Sequence, residues 1–263
     1  MLYCRTGKQL WRGSPLRVLF FQALWRHQVH KTMVTNISII IPILNEANFI
    51  TQTLSALQPL RAKGHEVIVV DGGSEDASLT QSQPLADRVI RSPRSRSRQM
   101  NAGAQIARGE ILLFLHADTF LPEGADRLII SKMKQKEKIW GHFDVHLSGR
   151  HPLLRLIEYL MNWRSRLSGI ATGDQGFFVR RQAFQSIGGF PEIDLMEDIA
   201  LSRALKKCGH PLCLWQRVVT SSRRWENNGI LRTVFLMWYL RLAYFMGANP
   251  QSLARLYRRL KPS

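Results

Sequence analysis

Ile37-Ser-Ile-Ile-Ile41 and Glu66-Val-Ile-Val-Val-Asp71 are the stretches on which the reading of this chain turns. Each is a short, unbroken run rich in β-branched residues, the pattern of a strand buried on both faces. Pro42 closes the first run, and after the Asn45-Glu46 turn Phe49, Ile50, Leu54, Leu57 and Leu60 recur at helical spacing. The second run ends in the turn Asp71-Gly72-Gly73-Ser74, and a short helix follows through Ala77 and Leu79. Arg88-Val-Ile-Arg91 reads as a third strand and Ser97 to Ala107 as a helix stopped at Gly109. Glu110-Ile-Leu-Leu-Phe-Leu115 reads as a fourth strand running into His116-Ala117-Asp118-Thr119. Strands alternating with helices predict an α/β chain with a mostly parallel sheet, flanked by helices and wound with right-handed crossovers. In such sheets ligands gather beyond the carboxyl ends of the strands, and Asp71 and Asp118 each stand at such an end.

The second half is less regular. Pro152 to Leu167 reads as a helix, and Gly173-Asp174-Gln175-Gly176 leads into a strand at Phe177-Phe-Val179. Gly188-Gly189-Phe190-Pro191 is a turn. Met196-Glu197-Asp198 opens a helix that ends by Gly209, and a strand near Pro211 to Trp215 precedes Ser221-Ser222-Arg223-Arg224-Trp225. The apolar run Ile230 to Met246 is interrupted by Arg232 and Arg241. It falls short of the roughly 20 uninterrupted apolar residues of a membrane span. The two arginines project from opposite sides of a helix at about 100° per residue, which suits a segment lying at an interface. Three regions result: a basic N-terminal extension over 1–33, an α/β domain over 34–228, and an amphipathic, basic helical segment over 229–263.

Composition narrows the function. In 263 residues, 45% are hydrophobic, enough to fill a core and too many for a disordered tail or a disulfide-stapled mini-protein. Lys and Arg number 37 against 19 Asp and Glu, and the formal charge of +18 implies an anionic partner: nucleotide phosphates, nucleic acid or a lipid headgroup. Six of the basic residues lie in 1–33, which holds no acid at all. That leader reads either as a membrane-surface or transit-like arm or as an extension upstream of a start at Met33, and it is set aside from the fold. Cys4, Cys208 and Cys213 are too few and too irregular for a disulfide framework or a zinc site, and read as free thiols in a reducing compartment.

The polar residues at the strand ends suggest chemistry. Asp71, followed by Gly72, can accept hydrogen bonds from a nucleoside while the glycines admit close approach; equally it can cap the next helix. Neither G-x-G-x-x-G nor a P-loop occurs. Asp118 suits a hard cation such as Mg²⁺ or Mn²⁺ that bridges one carboxylate to a diphosphate. His116 shares its strand face and reads as a weak ligand or a packed neighbour. Asp198 is a candidate general base, although acids are ordinary in a first helical turn. Arg223-Arg224 beside Trp225 can clamp a diphosphate, and Arg94, Arg96 and Arg98 alternate in a loop as a phosphate-facing cluster or an exposed charge run.

Taken in order, Ser38-Ile-Ile-Ile-Pro-Ile-Leu-Asn-Glu46, Val70-Asp-Gly-Gly-Ser74, Leu115-His-Ala-Asp-Thr119, Gly173-Asp-Gln-Gly176 and Met196-Glu-Asp198 resemble the family 2 glycosyltransferases of the GT-A fold, over residues 37 to 225. Ser97-Arg-Gln-Met-Asn-Ala-Gly-Ala104 and Ser222-Arg-Arg-Trp-Glu226 are similar to the subgroup labelled arsenosugar-biosynthesis or radical-SAM/selenodomain-associated glycosyltransferases. The resemblance implies a Rossmann-like GT-A domain that moves a sugar from a nucleotide-sugar donor to an acceptor hydroxyl or carboxylate, inverting and divalent-metal dependent. It implies that Asn45, Glu46, Asp71, Gly72, Arg98, Arg224 and Trp225 surround the nucleotide. Asp118 and His116 then hold the metal, Asp174, Gln175 and Glu197 face the acceptor, and Asp198 deprotonates it. His116 stands where many members carry the first Asp of a D-x-D motif, which weakens the expected metal site.

The basic surface and the Leu231 to Met246 segment point to a lipid-like or small-metabolite acceptor and to peripheral work at an anionic membrane, in the cytoplasm or on its inner membrane face. A helix packed on the domain or against a partner subunit is the other reading of that segment. Two competing functions are a related nucleotidyltransferase, which also uses metal-bound carboxylates, and a nucleic-acid-binding protein. The second is disfavoured because no recognition motif or aromatic-basic interleaving occurs, and no nucleic-acid partner is expected.

Overall fold

The computed structural model describes residues 36–135 and 138–259, so the basic leader over 1–33, with Cys4, lies outside the described residues. In chain order the elements are β1 (Ile37–Ile43), α1 (Ala47–Ala56), α2 (Gln58–Ala62), β2 (Glu66–Asp71), α3 (Ser78–Ser82), β3 (Arg88–Arg91), α4 (Arg96–Ile106) and β4 (Ile111–Phe114). There follow β5 (Thr119–Phe120), α5 (Ala125–Met133), β6 (Trp140–Leu147), α6 (Pro152–Ser168), β7 (Phe177–Arg180), α7 (Arg181–Ser186) and α8 (Glu197–Lys206). The chain continues through β8 (Leu212–Thr220), α9 (Arg223–Asn228), α10 (Ile230–Phe245) and α11 (Pro250–Arg259). Cys208 and Cys213 are free thiols.

The described strands form one sheet in the order β3-β2-β1-β4-β7-β6-β8-β5. β1, β2, β3 and β4 run parallel, as the strand–helix alternation predicts. β7 then enters antiparallel between β4 and β6, while β6 and β8 are parallel again. Side chains alternate faces along each strand. Ile39, Ile41, Val67, Val69 and Leu113 feed the core on one side, each stabilising the fold by about 1.5–3 kcal/mol when fully buried. Ile40 and Val70 point the other way, under α4. There a Cβ on Gly103 would lie 2.5 Å from the Ile40 side chain, so only glycine lets this helix sit so close to the sheet.

The carboxyl ends of β1 and β2 are tied together by Gln99 of α4, whose buried amide donates to the carbonyls of Ile43 and Val70, each at 2.8 Å. On the other side of the sheet, β7 pairs with β6 only over Trp140 to His142. Beyond that point α6 takes over the free backbone of β6. Asn162 both accepts from the Val145 N–H and donates to its carbonyl, and Glu158 accepts from Leu147. These bonds fix the rotation of α6 and so decide which of its residues reach the site.

Candidate active site

The first expected part of the site is the loop after β2, which is outside the lining of the site's cavity. Asp71 is buried, and its carboxylate accepts from the N–H groups of Gly73 and Ser74 at 3.0–3.2 Å. The N–H of Gly72 donates to Ile43 at 2.9 Å. Asn45, left-handed at φ 56°, locks this loop onto β1: its side chain accepts from Glu75 and its N–H donates to Ser74. Asp71 therefore holds its own turn and does not cap the next helix, which begins at Ser78 with no side-chain cap bond.

The second part carries the charges. Glu46 accepts a 2.6 Å hydrogen bond from Arg223, whose guanidinium also lies 3.3 Å from Asp118 and 4.3 Å over the Phe49 ring. His116 pairs through Nδ1 with Asp174 at 3.2 Å, while its Nε2 is buried without a hydrogen-bond partner among the described residues. The reason is Gly173, packed so closely that a Cβ there would fall 2.5 Å from that nitrogen. The Gly173 N–H donates to Asp198 at 2.9 Å, and the other Asp198 oxygen accepts from Ile199. One short segment, Gly173-Asp174, thus joins the strand end carrying Asp118 to the helix start carrying Asp198.

The same segment sets the proton affinities. Burial works to raise the Asp174 carboxyl, but the hydrogen bond and charge of His116, with Arg224 and Arg96, hold it well below the usual carboxylate range. Glu197 is buried and moves the other way. Desolvation, and then the charge of Asp198, push it up to about 7 against the opposing pull of Arg96. Two neighbouring acids at the start of α8 therefore differ in character, one reaching the Gly173 turn and one holding its proton near neutrality.

These groups border a cavity of about 350 Å³ whose lining includes Glu46, Arg96, His116, Asp118, Asp174, Arg223, Arg224 and Trp225. α6 and α10 also line it, supplying apolar side chains and two arginines, Arg164 and Arg241. Of the expected site residues, Glu46, His116, Asp118, Asp174, Arg224 and Trp225 line this cavity, whereas Asn45, Asp71, Gly72, Glu197 and Asp198 are outside its lining, and Arg98 and Gln175 do other work. Arg98 turns away and pairs with Glu192 at 3.1 Å. Because α4 already begins at Arg96, two residues rotate the chain by about 200°, and Arg96 reaches the cavity instead. Gln175 does not face an acceptor. It is fully buried, accepts from Thr172 and from Ser165, and closes the capping box of the Gly173–Gln175 turn. Arg164 and Arg241 were missed as site residues; the signal was an arginine set within an otherwise apolar helical run.

A divalent cation is tested by this donor set. Among the described residues no three His, Cys, Asp or Glu side chains cluster as a protein cage. Glu46, Asp118 and Asp174 all line the cavity. Glu46 is bonded to Arg223 at 2.6 Å and Asp174 is paired with His116 at 3.2 Å, so Asp118 is the hard oxygen donor that fits a cation taking its remaining ligands from a diphosphate and water. The His116 ring does not fit as a ligand, since one nitrogen is held by Asp174 and the other is covered by Gly173.

A family model, that of glycosyl transferase family 2, matches residues 38–188. The chain is 24% identical over 228 residues to the probable glycosyltransferase YdaM of Bacillus subtilis (strain 168); the match covers 78% of this chain and 53% of that protein. It therefore spans about half the length of that curated relative. Among solved structures it is similar to the mannosyltransferase PcManGT of Pyrobaculum calidifontis in complex with GDP-Man and Mn²⁺, with a TM-score of 0.60 and 19% identity over 94% of this chain and 77% of that one. It is also similar to S. aureus TarS 1-349 in complex with UDP-GlcNAc, with a TM-score of 0.57 and 18% identity over 71% of this chain and 58% of that one. The shared architecture is the GT-A fold. These likenesses reach the family and not the narrower subgroup.

Proposed function

The chain belongs to glycosyl transferase family 2, and we propose that it transfers a sugar from a nucleotide-sugar donor to an acceptor hydroxyl or carboxylate, with inversion and with a divalent metal. The observation that carries this reading is the run of contacts from the Asp118 strand end through His116, Asp174 and Gly173 to Asp198. The loop of Asn45 and Asp71 receives the nucleoside, and Arg223 and Arg224 lie beside the diphosphate. A cation held by Asp118 would neutralise charge growing on the leaving group.

Asp198 orients the acceptor and takes its proton when the nucleophile is a hydroxyl. The acceptor oxygen forms a bond to the anomeric carbon while the bond to the diphosphate breaks, and its electron pair leaves with the nucleoside diphosphate. Attack from the face opposite the leaving group inverts the centre. The protein supplies charge placement and orientation rather than a covalent intermediate. Incubation with labelled UDP-, GDP- and dTDP-sugars and Mn²⁺ tests the reading: one donor transfers its label to an acceptor with inverted anomeric configuration. A retained configuration, or cleavage to sugar phosphate, contradicts it.

The acceptor side belongs at an anionic membrane surface. Among the described residues no helix is long and apolar enough to cross a membrane. Yet Leu156, Leu160 and Trp163 of α6, and Phe235, Trp238 and Leu242 of α10, are all exposed, on helices that share the cavity wall. The chain beyond Glu226 carries basic residues and no acid. Apolar stripes with an acid-free basic background favour an anionic leaflet. The protein should float with phosphatidylglycerol vesicles at low salt and not with phosphatidylcholine; equal flotation, or none, removes this element.

A further inference from the structure

Arg164 and Arg241 come from helices far apart in sequence, yet both line the cavity. The Nε of each is buried without a hydrogen-bond partner among the described residues, and neither guanidinium has a carboxylate at ion-pair distance there. Arg164 makes one bond, to the hydroxyl of Ser165 at 3.1 Å. Desolvation lowers the proton affinity of both, and the charge of Arg241 lowers Arg164 further, to about 10. The charges of Asp198 and Asp174 oppose that effect on both arginines. Two like charges held together and partly desolvated are costly unless something negative joins them.

Resting on the reading of this cavity as a sugar-transfer site, we infer that Arg164 and Arg241 bind the acid group, phosphate or carboxylate, of an amphiphilic acceptor. Planar guanidinium groups match the oxygens of either acid in a two-point fork. The surrounding surface decides what the acid is attached to. Ile157, Leu160 and Met161 of α6 and Val234, Met237 and Trp238 of α10 form the wall beside the arginines. Leu160 and Trp238 are also exposed, so that wall continues outward into the apolar stripes of the two helices. A nucleoside diphosphate has no use for such a wall, and its phosphates already have Arg223, beside Glu46 and Asp118, and Arg224 in the same cavity. The acceptor that fits carries its acid between the arginines, its apolar body between α6 and α10, and the hydroxyl to be glycosylated next to the acid, facing Asp198.

Calorimetric titration of the full chain with dodecyl phosphate, dodecanoate, inorganic phosphate and the uncharged dodecyl maltoside tests this, with a nucleotide-sugar titrated separately. Dodecyl phosphate or dodecanoate should bind at least roughly tenfold tighter than either inorganic phosphate or the maltoside, and the better of the two identifies the acid. Arg164→Ala and Arg241→Ala should each weaken that binding by about tenfold or more, Arg→Lys should restore part of it, and nucleotide-sugar affinity should stay unchanged. Thermal melts identify any variant that fails to fold, and the Lys variants then carry the comparison. Loss of nucleotide-sugar binding in the arginine variants would assign the pair to the donor and overturn the inference. So would equal binding of inorganic phosphate and the alkyl acids, or no alkyl-acid binding. Failure of the wild type to bind any nucleotide-sugar, with alkyl-acid binding intact, would instead count against the transfer reaction.

Discussion

Gly173→Ala is the sharpest structural test of the site. The backbone itself admits alanine, because Gly173 is not among the glycines with positive φ. The obstacle is the His116 ring: a Cβ would lie 2.5 Å from Nε2 and 2.9 Å from Cε1. Ordinary contact begins near 3.4 Å, so the ring must retreat by about 1 Å, an overpacking cost of about 1–3 kcal/mol. For a chain of this size that lowers the melting temperature by about 2–4 °C per kcal/mol. The retreat also strains the 3.2 Å pairing with Asp174 and shifts the Asp118 strand end, and a displacement of that size can cost about a hundredfold in turnover. Calorimetric melting and labelled-sugar turnover read the two effects. In a cycle with His116→Ala, the double variant should melt with His116→Ala alone, a coupling of about 1–3 kcal/mol. A Gly173→Ala protein that melts as the wild type does, or additive effects in the cycle, would refute the packing argument.

Glu197 gives a pH prediction. Its pKa rises from the ordinary 4.5 to about 7 on folding, so the stability tied to its protonated form is present below pH 4.5 and lost as pH climbs to about 7. Glu197→Gln should therefore gain on the wild type by on the order of 3 kcal/mol across that window and run level above it, in denaturant melts at a series of pH values. The comparison must be between variants, because buried His142, pushed down to about 4, gives the wild type an opposite slope between about pH 4 and 6.5. Arg96→Ala should cut transfer by about tenfold or more, since Arg96 lines the cavity and faces Asp174 and Glu197. Arg98→Ala, breaking only an exposed ion pair, should change stability by less than about 1 kcal/mol and leave transfer intact. Chelation should abolish transfer and Mn²⁺ restore it, except in Asp118→Asn, where added metal should have little effect.

The parallel half of the fold was legible because β1, β2 and β4 are buried on both faces and so read as unbroken apolar runs. β6 was missed for the opposite reason. His142 and Asp144 interrupt its sequence, and their burial depends on partners that only the folded chain supplies, such as Arg166 at 2.9 Å from Asp144. The antiparallel insertion of β7 leaves no local mark either, since four apolar-rich residues look alike in either direction. The site was legible wherever a strand end dictates it, as at Asp118. It was misread where a helix boundary moved by one residue, exchanging Arg98 for Arg96. It was also misread where a polar side chain serves its own turn, as Gln175 does. Arg241 was visible as a break in an apolar run, but only the backbone bonds between α6 and β6, which place Arg164 opposite, reveal what it faces.

The convergence of Asp118 and Asp198 on one reaction is tested most directly by dividing binding from turnover in two variants. Asp198→Asn should keep the wild-type affinity for the nucleotide-sugar in the presence of Mn²⁺ while transfer falls by about 10²- to 10⁴-fold, the range of a general base. Asp118→Asn should lose the metal-dependent part of donor affinity. Full transfer by Asp198→Asn, or equal loss of donor binding in both variants, would contradict the account.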